Sequence, residues 1–202
     1  MTTPDADAVL IGAAAMGDTT AFDQLVAAHA EALHRFAHSL GVRGADLDDV
    51  VQDAFVSAWH AAAAYRGDGS VRSWLLTIVR NAVRQSLRRA HGDRAHWAPL
   101  ESAETLESVA DRAGWGRTDG GPAGDAKELV MRALDQLTAE DREILLLREI
   151  EELSGEETAV ALNVTIAAMK SRLHRARLHL AAAVRELERD VPPTTEPRYA
   201  RP

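Results

Sequence analysis

The chain has 202 residues, 46% of them hydrophobic, 27% charged and only 4% aromatic, with a net charge of −8 and no cysteine. That length suits one medium domain or two small ones. The lack of cysteine excludes a disulfide framework, a thiolate zinc site, an iron–sulfur cluster and a cysteine nucleophile, and no apolar run reaches the length that a membrane-spanning helix needs.

The first residues carry Asp5, Asp7 and Asp18 and no basic side chain, so no secretory signal is expected and the expected location is the cytoplasm. Alanine- and leucine-rich segments with charged spacers, and no blocks of β-branched residues, predict an all-α protein. A first helix is predicted from about Asp18 to Ser39, where Phe22, Leu25, Val26, His29, Leu33 and Phe36 recur at helical spacing, and Gly41 and Gly44 end it. Asp46-Leu47-Asp48-Asp49 opens a second helix, its acids suited to the positive end of the helix dipole, and it continues through Val50, Val51, Ala54, Phe55, Ala58 and Trp59. Arg66-Gly67-Asp68-Gly69-Ser70 reads as a turn. A third helix, about Val71 to Ala90, follows with Ser70 as its N-cap. On it Thr77, Asn81, Arg84 and Arg88 phase to one side, and Trp74, Leu75, Ile78 and Ala82 to the other.

Periodicity fails over residues 92–125, where glycines crowd the end of an acidic stretch, with one short helical turn expected near Glu101 to Val109. It returns at about Asp125 and holds to about Leu187, after which Val191 to Pro202 reads as a disordered, proline-rich tail. The predicted layout is two small helical domains, 1–91 and 126–189, joined by a flexible linker over 92–125 and followed by a tail at 190–202.

The charge is unevenly spread. Residues 63–91 hold six arginines and one aspartate, and residues 164–180 hold four bases and no acid, while the blocks 1–62, 92–125 and 126–163 are each net acidic. A polyanion responds to local potential within roughly 8–10 Å at physiological salt rather than to the total charge. Two solvated helix faces are the plain alternative.

In the C-terminal domain Leu129, Val130, Ala133, Leu134 and Leu137 form an apolar stripe. Thr138-Ala139-Glu140-Asp141 signals a helix start, and a helix is predicted over Arg142 to Glu149. Ser154-Gly155-Glu156-Glu157 fits a capping box, and the helix it opens ends near Leu162-Asn163, where asparagine tolerates the left-handed backbone of a tight turn. Thr165 can cap the helix after it. At about 100° per residue, Met169, Leu173, Ala176 and Leu180 fall in one arc, and Ala167, Lys170, Ser171, His174, Arg175 and Arg177 spread over the opposite side. A short turn followed by such a helix is the layout of a recognition helix in the DNA major groove, with Ala167 and Ala168 small enough for close approach to base edges. An ordinary basic amphipathic helix fits the same pattern.

Residues 137–180, and above all Lys170-Ser171-Arg172-Leu173-His174-Arg175-Ala176-Arg177, resemble region 4 of bacterial extracytoplasmic-function sigma factors. Residues 46–89 resemble region 2, through Asp46-Leu47-Asp48-Asp49-Val50-Val51-Gln52-Asp53-Ala54-Phe55, Trp59, Arg72-Ser73-Trp74-Leu75 and Asn81. Three features depart from the family pattern. Asn163 stands where glycine is usual, Thr158 where an aliphatic residue is usual, and Ile166-Ala167-Ala168-Met169 where Glu-Gly-Thr-Val is frequent.

The resemblance implies a protein without catalytic, cofactor or metal chemistry that binds core RNA polymerase, through the β′ clamp helices and the β flap, and promoter DNA. Restraint by an anti-sigma factor is also implied. Asp46, Asp49, Gln52, Asp53, Phe55 and Trp59 would dock on polymerase. Tyr65, the turn Arg66, Gly67, Asp68, Gly69 and Ser70, and Thr77, Arg80, Asn81, Arg84 and Arg88 would hold the −10 element. Thr165, Ala167, Ala168, Lys170, Ser171, Arg172, His174, Arg175 and Arg177 would read the −35 element. Glu101, Glu104, Glu107 and Asp111 of the linker would mimic phosphate charge in the polymerase channel. Two other readings are a helix-turn-helix regulator with an N-terminal sensor domain, and a helical-bundle metalloenzyme suggested by Glu31-x-x-His34, which lacks the second Glu-x-x-His that such a site needs.

Overall fold

The computed structural model describes residues 6–91, 129–130 and 132–190. The predicted linker, with its helical turn and the four acids named for phosphate mimicry, and nearly all of the predicted tail lie outside the described residues. The described chain is helical, with no strand among the described residues, and no described helix is long and apolar enough to cross a membrane.

Among the described residues the N-terminal module has four α-helices. Helix α1, Ala6–Ala15, is a short alanine-rich helix that buries Ile11 and Ala14, and the sequence pattern did not announce it. Helix α2, Thr19–Ser39, begins where the Asp18 carboxylate accepts from the Ala21 amide at 3.1 Å. It buries Leu25, His29, Leu33 and Phe36 along one face. Asp7 of α1 reaches that face, with its Oδ2 2.8 Å from His29 Nε2. The chain then turns through Gly41 and Gly44, whose φ values of 101° and 58° suit glycine and strain other residues. Helix α3, Ala45–Ala61, ends in a 3₁₀ turn at Ala62–Ala64, and helix α4, Val71–His91, buries Val71, Leu75, Leu76, Val79 and Val83.

In the C-terminal module residues 129–130 and 132–135 are helical, and Ala133 and Leu134 are buried. Helix α5, Ala139–Leu145, starts at Thr138, whose hydroxyl accepts from the Asp141 amide at 3.2 Å. It runs into a π-helical turn, Leu146–Ile150, in place of the single α-helix expected there. Helix α6, Gly155–Leu162, has the predicted capping box, with both the Ser154 and Glu157 bonds formed, and Asn163 follows in the left-handed region at φ 54° and ψ 50°. Helix α7, Ile166–Asp190, is capped by Thr165, which accepts from the Ala168 amide at 3.2 Å. Met169, Leu173 and Ala176 of α7 are buried, as their phase requires.

The modules pack on one another, α4 against α6, and their apolar side chains form one continuous core. The sequence predicts two small helical domains joined by a linker, and it carries no sign of how they meet. The observed contact brings the basic helix of the first against the acidic helices of the second.

His38, in the last turn of α2, is half-buried. Burial, then the positive charges of Arg43 and His34, hold its imidazole down at about 4. The folded state therefore binds fewer protons than the unfolded chain between pH 6.5 and 4, and the stability present above pH 6.5 is lost as pH falls through that window. His38→Gln should show a smaller fall in melting temperature between pH 6.5 and 4 than the parent chain. Equal slopes in the two thermal melts contradict a neutral imidazole.

Candidate nucleic-acid interface

The side of α7 away from the core is open. Ala167, Ala168, Lys170, Ser171, His174, Arg175 and Arg177 are all exposed. Among the described residues Lys170, His174 and Arg175 make no ion pair, whereas Arg177 Nη2 lies 2.6 Å from Glu149 Oε1. The left-handed turn at Asn163 and the Thr165 cap present the first turn of this helix outward, with only small side chains over its backbone. Arg172 differs from the rest of the predicted set. It is half-buried, donates from Nη2 to the Glu140 carbonyl at 2.9 Å, and lies 3.6 Å from Glu143 Oε2.

On α4, Asn81, Arg84 and Arg88 are exposed and Thr77 is half-buried, its hydroxyl donating to the Ser73 carbonyl at 2.9 Å. These four residues line a cleft of about 930 Å³ between α3, α4 and the end of α6. Arg80 corrects the expectation of a side chain turned to DNA. It is 5% exposed, its Nε donating to Glu143 Oε1 at 2.6 Å and its Nη1 to the Ala161 carbonyl at 3.0 Å. The reason is helical phase. Buried Leu76 is four residues before it and buried Val83 three after, so Arg80 leaves α4 on its inner flank.

The turn before α4 is also engaged. Tyr65, expected to be available for stacking on a base, lies against Trp74 with ring centroids 5.4 Å apart, and its hydroxyl donates to the Gly69 carbonyl at 2.6 Å. Gly67 sits at φ 75°, while Arg66 and Asp68 are exposed. Ser70 caps α4 by accepting from the Ser73 amide, and it donates through both its amide and its hydroxyl to Glu157 Oε1, at 2.9 and 2.8 Å. Burial pushes the Glu157 carboxyl up, but bonds from the amides and hydroxyls of Ser70 and Ser154 outweigh it and hold the group at about 2.

The third surface lies on α2 and α3. Phe55 and Trp59 are half-buried and meet Phe22 edge-on, with centroids 6.4 and 5.2 Å away. Together with Val26, Val51 and half-exposed Val56 they line an apolar groove of about 470 Å³. Neither ring is sealed in the core. Asp46, Asp49, Gln52 and Asp53 are exposed beside the groove and face a polar cleft shared with Arg89. The Glu31-x-x-His34 pair is spent on ion pairs, Glu31 to Arg35 at 3.0 Å and His34 to Asp48 at 3.0 Å. Among the described residues no cluster of three metal-ligating side chains forms.

The sequence reading missed the acids that hold these surfaces. Glu143, Glu151 and Glu157 belong to the C-terminal module, and each bonds a group of the N-terminal module. One local sign was available, an acid at 143 abutting the apolar run Ile144–Leu147.

Comparison with known proteins follows the same division. The family model for Sigma-70 region 2 matches residues 25–92, and the model for Sigma-70, region 4 matches residues 127–180. The chain is 38% identical over 182 residues to the RNA polymerase sigma factor NccH of Alcaligenes xylosoxydans, covering 90% of this chain and 96% of that one. It is 38% identical over 175 residues to the ECF RNA polymerase sigma factor SigM of Mycobacterium tuberculosis, covering 87% and 83%. Among solved structures it is similar to CnrH in complex with the cytosolic domain of CnrY, with a TM-score of 0.64, 34% identity and coverage of 93% of this chain and 100% of that one. It is also similar to the sigma factor RpoE of Bartonella quintana in complex with the anti-sigma factor NepR, with a TM-score of 0.57, 25% identity and coverage of 81% and 96%.

The Tyr65 brace can be tested directly. Tyr65→Phe removes one hydroxyl bond and should cost about 1 kcal/mol of unfolding free energy. Tyr65→Ala also loses the Trp74 ring contact and should cost more. Urea denaturation of the two variants checks the order, and equal costs contradict the ring contact.

Proposed function

The chain belongs to the extracytoplasmic-function sigma factors, and we propose that it binds core RNA polymerase and directs it to promoters, where it supports recognition, strand opening and initiation. The observation that carries this reading is the presence in one chain of two cationic helical faces, on α4 and α7, and an acid-rimmed apolar groove on α3. The region 2 and region 4 matches in family order support it. A regulator built only on the C-terminal helix-turn-helix leaves the match over residues 25–92 without a purpose.

The domains divide as residues 1–91 for polymerase and the −10 element, 92–125 as linker, 126–189 for the −35 element and 190–202 as tail. Phe55 and Trp59 are the apolar anchors for the polymerase clamp, and Asp46, Asp49, Gln52 and Asp53 orient the approach by charge. Lys170, Arg175 and the open first turn of α7 take the major groove. Asn81, Arg84, Arg88 and the turn 66–70 take the separated strand, where bases exposed by melting can be captured and arginines can follow the backbone. Unstacking costs a few kcal/mol per base step, so opening follows from tighter binding to the melted state than to the duplex. The sigma-factor family acts in initiation without catalysis of its own, and the site of action is the cytoplasm. An anti-sigma factor is a further partner, a reading supported by the relatives solved with CnrY and NepR.

Reconstituted transcription tests the reading. Core polymerase should initiate at specific sites only when the chain is added, and initiation indifferent to the chain contradicts it. Lys170→Ala and Arg175→Ala should each weaken holoenzyme binding to promoter duplex by about 1–3 kcal/mol, while the stability of the free chain changes by less than about 0.5 kcal/mol. Trp59→Ala should weaken core polymerase binding by about 2 kcal/mol or more, as expected of an aromatic anchor. Equilibrium binding and thermal melts of the purified variants check both.

A further inference from the structure

The two cationic faces assigned to promoter DNA are partly closed by the chain's own acids. Glu143, 2% exposed, stands among three guanidiniums: Arg80 Nε at 2.6 Å, Arg172 Nη2 at 3.6 Å and Arg84 Nη1 at 3.9 Å. Two of these arginines come from α4 and one from α7, so a single carboxylate ties the −10 face to the −35 helix. Glu157 takes both donors of Ser70 in the turn before α4. The approach is close enough that a Cβ on Gly69 would stand 3.1 Å from Glu157 Cγ. Glu151 holds Arg72 through its carboxylate and, at 2.6 Å, its carbonyl.

We propose that this conformation is a self-closed state, in which Glu143, Glu151 and Glu157 stand in for nucleic-acid phosphate on the N-terminal module and must be displaced before the promoter is engaged. The proposal rests on the sigma-factor reading and adds to it a device within the chain. Its physical basis is exchange of one anion for another. Glu143, with Glu140 and Asp141 acting on Arg172, holds these arginines, and a strand carrying a row of phosphates offers the same donors a dense line of negative charge. A route in exists, because Asn81, Arg84 and Arg88 stay exposed along the cleft beside the clasp. The apolar groove on α3 also stays open while the clasp is shut. Polymerase can therefore dock first and the modules separate afterwards. While the clasp holds, apparent affinity for DNA is reduced by the fraction of molecules that are open.

The test uses the full chain. With no native cysteine, single cysteines can be placed at exposed Gln24 and Glu188 and spin-labelled, so that pulsed electron resonance reads the distance between modules. The parent should give one narrow distance distribution. The E143Q/E151Q/E157Q variant should give a broader and longer one, and should bind a short labelled single-stranded DNA about tenfold more tightly. A variant that keeps the parental distance overturns the proposal, as does one that opens yet binds the DNA no better. Far-UV circular dichroism establishes that the variant is folded. Should it unfold, the parent titrated with heparin decides instead, since lengthening of the distance supports displacement and an unchanged distance overturns it. The distance and DNA readouts do not need transcription. A clasp that opens as described in a chain that fails to direct core polymerase therefore upholds the clasp and removes the sigma-factor reading.

Discussion

The Glu143 carboxylate, buried between guanidiniums of two helices that lie far apart in sequence, is the contact on which the arrangement of the two modules turns. Taking such charges out of water costs several kcal/mol per ion, and only close, multiply bonded geometry offsets it. Arg80 meets that demand with two bonds to Glu143 and one to the Ala161 carbonyl. A buried ion pair is a weak source of stability, and well-packed apolar residues of similar size often join two surfaces as firmly. What the ion pair supplies is a joint that another anion can replace. The burial that makes removal of one partner costly also makes exchange for phosphate feasible, since an incoming phosphate leaves no arginine unpaired.

The same constraint explains how an acidic chain carries two nucleic-acid faces. The arginines lie in residues 63–91 and 164–180, and the intervening acids lie in helices that fold back on them. Net charge of −8 thus arises from segments of opposite sign that partly neutralise one another in the folded state. The exposed remainder, Lys170 and Arg175 on α7 and Arg88 on α4, keeps the local potential that a polyanion senses. The surface toward polymerase is built differently. Aromatic rings flank a groove there, and charge sits at the rim, which is the usual division between anchoring and steering.

What was legible in the sequence was local. Thr138, Ser154 with Glu157, and Thr165 each act on backbone groups within four residues, Asn163 turns the chain in the left-handed region, and each took its predicted part at a helix end. The inward arc of α7 was equally readable, because one period governs it. Helix α1 escaped because Ala6–Ala15 is almost uniformly alanine and aliphatic, with no polar face to mark a period. Arg80 entered the −10 set through the resemblance alone, and its position between buried Leu76 and Val83 turns it inward to Glu143 in this conformation. The docking of the modules had no local signature. Its bonds join residues 63 and 87 positions apart, and the order of side chains along either helix says nothing about which distant helix will meet it.

Amide hydrogen exchange at Ser70 tests most directly whether the chain's own carboxylates and the transcription apparatus compete for one surface. The Ser70 amide is committed to Glu157 in the closed form, at 2.9 Å. It should exchange slowly in the free chain and faster once core polymerase is bound and before DNA is added. Protection that is already absent in the free chain, or that is unchanged on binding polymerase, contradicts the competition.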